Sequence, residues 1–96
     1  MKMIFIVYNE AIDDEVMGSL QACCIESFTK WQRVLGRGKT SSPHLDSNVW
    51  PGANNMCMTV VEDQEVRAIL TEVRSLRKSF GKEGIKAFVL AVEEVT

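Results

Sequence analysis

The chain has 96 residues, enough for a single domain spanning 1–96. It is 46% hydrophobic and 25% charged, which excludes a disordered chain, and its net charge of -2 excludes functions that rest on bulk positive charge, such as coating nucleic acid. The longest apolar run, Met3 to Tyr8, is too short to span a membrane, and the acidic Asp13-Asp14-Glu15 follows it with no small-residue cleavage site between. Three cysteines, two of them adjacent, make no disulfide framework and fit a reducing cytoplasm.

In chain order, residues 2–8 are β-branched and aromatic and predict a strand. Asp13 is expected to cap a helix carrying Val16, Met17, Leu20, Cys23 and Cys24 on one stripe, with acids in its first turn, where the helix dipole favours them. Residues 27–35 form a mixed β-like run. From Gly36 to Asn55 aliphatics give way to Gly, Pro, Ser, Thr and Asn, the composition of a long loop, and loops of that length in compact domains are usually functional. Met56 to Val61 predicts a strand. Asp63 should cap a second helix whose apolar stripe is Val66, Ile69, Leu70, Val73 and Leu76, with Arg67, Arg74, Arg77 and Lys78 off that stripe. Gly81 reads as its stop, Gly84 as a turn, and Ile85 to Val92 as the last strand.

The order βαββαβ is the ferredoxin-like arrangement: an α+β sandwich with a four-stranded antiparallel sheet and two helices on one face. Two helices cover one face only, yet both faces of the outer segments are apolar. Met3, Phe5 and Val7 oppose Ile4, Ile6 and Tyr8, and Ile85, Ala87 and Val89 oppose Phe88, Leu90 and Val92. A second apolar face predicts burial by further copies of the chain, a homo-oligomer.

Four strings, together with this order of elements, resemble the PII signalling family and its shorter PII-like relatives. They are the opening strand, Asp14-Glu15-Val16, Gly36-Arg37-Gly38-Lys39, and the closing Gly84-Ile85-Lys86-Ala87-Phe88-Val89 with Val92-Glu93-Glu94-Val95. The resemblance implies a homotrimeric, non-enzymatic regulatory protein. A Gly-rich string would lead into the long T-loop and a Gly/Lys turn would form the B-loop, both lining a cleft between subunits where an adenine nucleotide binds. The string Pro43-His44-Leu45-Asp46 with Val49-Trp50-Pro51-Gly52 is similar to short PII-like proteins associated with metal efflux, which implies a membrane transport system as partner. The divalent-ion tolerance family CutA is a weaker resemblance with the same trimeric plan. Two departures stand out: residues 93–96, after the last strand, read Glu-Glu-Val-Thr rather than basic, and Tyr8 is the only tyrosine, which excludes uridylylation of the T-loop.

No acid falls between Glu26 and Asp46, while Lys30, Arg33, Arg37 and Lys39 do. Gly36 and Gly38 beside those last two cations would let backbone N–H groups approach an anion, and the plainer reading is a solvated basic strand end. Lys82 and Lys86, flanking Gly84, would form the second wall of that ligand site; the plainer reading is two surface lysines at a turn. His44 and Asp46 could converge on a divalent metal in a CutA-like sensing trimer, or serve only as turn chemistry. Cys23, Cys24, Met56, Cys57 and Met58 read as core or interface packing. Trp50, with His44, is placed to dock a partner through the 36–55 loop. No nucleophile–base pairing, catalytic carboxylate pair or dinucleotide fingerprint is present, so catalysis is not expected. A ligand-free structural interaction module is the remaining alternative.

Overall fold

The computed structural model describes residues 1–36, 53–80 and 84–96. Its elements are β1 (Lys2–Asn9), a 3-10 turn (Glu10–Ile12), α1 (Asp13–Ala22), β2 (Thr29–Val34), β3 (Asn54–Val61), a second 3-10 turn (Asp63–Glu65), α2 (Val66–Ser79) and β4 (Ile85–Ala91). The sheet order is β2-β3-β1-β4, and every pairing in it is antiparallel. This is the ferredoxin-like sandwich, with β2 and β4 as its two edge strands.

The alternation along β1 divides the molecule. Ile4, Ile6 and Tyr8 face the helices and are at most 1% exposed, where they pack with Val16 and Leu20 of α1, Ile69 and Val73 of α2, and Cys57 and Val61 of β3. The opposite face is uncovered. Across it run the rows Lys86–Val7–Met56–Trp31, Phe88–Phe5–Met58–Thr29 and Leu90–Met3–Val60. Phe88 and Leu90 are about half exposed, and Trp31 and Val60 are also open to solvent. The expected second apolar face is therefore present.

Helix ends differ from expectation. Asp13 does not cap α1: the Asn9 side chain accepts from the Ala11 amide and caps the preceding 3-10 turn, while Asp13 is already helical. Likewise Glu62, not Asp63, closes a reciprocal capping box with Glu65. Asp63 instead takes the Met1 ammonium at 2.8 Å. The helix α1 stops at Ala22, so Cys24 is not on its buried stripe. Cys24 is exposed and left-handed at φ 60°, with its amide on the Gln21 carbonyl and the Ile25 amide on the Leu20 carbonyl. That pair of bonds is a Schellman ending, and it returns Ile25 to the core. β3 begins at Asn54, two residues before the expected Met56, and β4 ends at Ala91 rather than Val92.

Candidate functional site

The C-terminal ends of β1 and β2 and the N-terminal ends of β3 and β4 meet at one end of the sheet. There the Asn9 amide donates to the Gly84 carbonyl at 3.2 Å and the Glu10 amide to the Ala53 carbonyl at 3.0 Å. Gly84 is left-handed at φ 78°, which only glycine adopts without cost. Gly36 closes β2 so near β3 that a Cβ on it would lie 3.2 Å from Asn54 Nδ2. Gly36 and Gly84, the two glycines of the candidate ligand site among the described residues, thus sit at the same end of the sheet. They stand on opposite edge strands, however, with β3 and β1 between, and three strand spacings of about 4.8 Å separate them by roughly 14 Å.

Lys86 is exposed and pairs with Val7 on the uncovered face of the sheet. Arg37, Gly38, Lys39 and Lys82 lie outside the described residues, as do His44, Asp46 and Trp50. Among the described residues no group of three or more His, Cys, Asp or Glu side chains is placed to hold a metal.

Beneath the root of the loop lies a polar cluster that the spacing of the sequence did not reveal. The Asp13 carboxylate accepts from Tyr8 Oη at 2.6 Å, from Lys30 Nζ at 3.0 and 3.2 Å, and from Asn55 Nδ2 at 3.0 Å. Desolvation by itself would push the Asp13 carboxyl up, but the bonds from Tyr8, Lys30 and Asn55 together outweigh it and hold it below the ordinary carboxylate range. Tyr8, desolvated and facing that carboxylate, is pushed far upward and stays a neutral donor. Burial also pushes the neighbouring Cys57 thiol up to about 11, against the pull of Lys30 and with a further push from Asp13. It is an inert packing group.

The basic stretch before the loop is therefore not free. Lys30 is spent on Asp13, and the Arg33 guanidinium pairs with Glu10 at 2.9 Å on the surface. Glu10 from the first 3-10 turn and Asp13 from the start of α1 reach these cations, a meeting of distant segments that a reading of charges along the chain misses. Arg33 itself stands in the left-handed region at φ 56°, inside a register shift in which Trp31 pairs with Met56 but Val34 with Asn54. Two residues of β2 thus oppose Asn55 alone, which is a β-bulge. Asn55 Oδ1 accepts the Arg33 amide at 3.1 Å.

The sequence profile of the family described as Nitrogen regulatory protein P-II matches residues 1–96. The chain belongs to the P-II family. Solved structures with the same fold include CPII from Thiomonas intermedia K12, a nitrogen regulatory PII-like protein bound to ADP, AMP and bicarbonate. It is 15% identical, with 98% of this chain and 94% of that one covered, at a TM-score of 0.70. The apo form of CPII aligns at 13% identity over 95% of this chain and 89% of that one, with a TM-score of 0.69. A PII-like signaling protein from Thermus thermophilus is 18% identical over 93% and 82% of the two chains, with a TM-score of 0.63. No curated protein matches the sequence. Membership of the P-II family makes this chain a PII-like regulatory protein. None of the helices among its described residues is long and apolar enough to cross a membrane.

Proposed function

We propose that this P-II family member is a homotrimer that takes a small anionic effector, an adenine nucleotide such as ADP, in clefts between its subunits. The observation that carries the proposal is the position of Gly36 and Gly84 at one end of the sheet but on opposite edges of it. Two walls roughly 14 Å apart across the sheet close on one phosphate group most simply when the β2 edge of one copy meets the β4 edge of the next. The uncovered apolar face supplies the driving force for such a ring, because burying its Phe, Met, Leu and Val side chains contributes about 25 cal/mol per Å² removed from water. The bound ADP and AMP in the CPII structures favour a nucleotide as the effector class.

In this reading Gly36, Arg37, Gly38 and Lys39 hold the anion through backbone donors and cations. Gly84, Lys82 and Lys86 of a neighbour close the second wall. The segment between β2 and β3, with His44 and Trp50, docks a partner, and the family resemblance makes that partner a membrane transport system. Occupancy selects one loop conformation only because the ligand binds one conformer better than the other.

Native mass spectrometry, alone and with ADP, AMP, bicarbonate or divalent metals, tests this directly. The expected result is a trimer that gains up to one nucleotide per subunit, with affinity falling tenfold or more in Lys39→Ala and in Lys86→Ala. A monomer, or a trimer that gains no nucleotide, overturns it. Metal uptake that disappears in His44→Ala, with no nucleotide uptake, would replace it with the metal-sensing alternative.

A further inference from the structure

We infer that Asn55 is a positioning residue for the effector site, acting through the bulge at Arg33; the inference rests on the reading of Gly36 as part of that site. A β-bulge inserts one residue, and one residue is half the side-chain period of a strand. Removing it would turn Val34, Leu35 and Gly36 to the opposite faces of the sheet.

The bulge is held against its own cost. An arginine at φ 56° is disfavoured, and the Arg33 amide lies where the register slips. Asn55 Oδ1 takes that amide at 3.1 Å, and Asn55 Nδ2 donates at 3.0 Å to Asp13, which Tyr8 and Lys30 fix from β1 and β2. Asn55 is 4% exposed, so water cannot easily replace it. Its amide therefore ties the root of the loop to a carboxylate that α1, β1 and β2 all hold. Both of its roles need the amide: the oxygen as acceptor for Arg33, the nitrogen as donor to Asp13.

The test pairs Asn55→Ala with the double variant Asn55→Ala/Arg33→Gly. Glycine adopts the left-handed region without strain, so it holds the bulge with no help from a side chain. ADP titrations are run well below the melting temperature of each variant, together with hydrogen exchange at the residue 33 amide. Expected in Asn55→Ala are at least tenfold weaker ADP binding and faster exchange at that amide, with most of the affinity restored in the double variant. Unchanged ADP affinity in Asn55→Ala, or lost affinity that Arg33→Gly does not restore, overturns the inference. If the unsubstituted protein binds no ADP, the nucleotide reading falls by itself. The exchange arm then still decides on Asn55, since unaltered protection at residue 33 would overturn its hold on the bulge.

Discussion

At the scale of single residues, the chain concentrates its polar investment on one carboxylate. Asp13 has a folded-state pKa below its unfolded value near 3.9, so its contribution to stability is present above about pH 4 and is lost as pH falls through the lower folded value. Urea midpoints measured between about pH 2 and pH 5 should fall less steeply in Asp13→Asn than in the unsubstituted protein. Asp13→Ala should cost about 2–4 kcal/mol at neutral pH, because it strands the buried Tyr8 hydroxyl and leaves Lys30 unpaired. Cys24 offers the opposite case. Its left-handed backbone ends α1 where glycine is the usual residue, and its side chain is exposed, so Cys24→Gly should raise the unfolding free energy by up to about 1 kcal/mol in a urea melt.

Both residues also mark what the sequence could and could not disclose. An acid opening an apolar stripe predicts a cap, and Asp13 has that look, but the cap position went to Asn9 because a 3-10 turn intervenes. Nothing in the local spacing links residue 13 to residues 8, 30 and 55, since those contacts exist only once three strands have paired. Cys24 continued the period of α1 well enough to be read as buried; the Schellman bonds that turn it outward form through backbone groups, which carry no residue signature.

At the scale of elements the sequence was far more explicit. Alternation in β1 placed Ile4, Ile6 and Tyr8 on one face and Met3, Phe5 and Val7 on the other, and burial follows that division. The 3.6-residue period of α2 likewise located Ile69 and Val73 in the core and Val66 and Leu76 against it, while Leu70 of the same predicted stripe stays outside that cluster. Ile69 is 1% exposed beneath that helix, and Ile69→Ala should destabilise the fold by about 3 kcal/mol, read as a lower denaturation midpoint with an unchanged slope. What eluded a periodic reading was the bulge in β2. A single inserted residue leaves the composition of a strand intact and shows itself only in the register with Met56 and Asn54.

At the scale of the whole molecule, two apolar layers back to back need two covers, and the chain supplies one. The face bearing Phe5, Met58, Phe88 and Leu90 should therefore govern association. Phe5→Asp, which sets a charge at the centre of that face, should shift sedimentation from the proposed trimer to monomer while the helix-side core keeps its far-ultraviolet signature. The polar, Gly-rich composition of 36–55 predicted a loop, but Asn54 and Asn55 already belong to β3, and the residues expected to dock a partner lie outside the described residues.

The edge-to-edge separation of Gly36 and Gly84 has a genetic consequence. If each cleft takes one wall from β2 of one chain and the other from β4 of its neighbour, a chain damaged at Lys39 and a chain damaged at Lys86 carry complementary lesions. Co-expressed, they should assemble mixed rings in which an intact wall of each kind meets at a shared junction. Nucleotide binding absent from either variant alone should then reappear in the mixture, the pattern of interallelic complementation. A pocket contained within one subunit would give no such recovery.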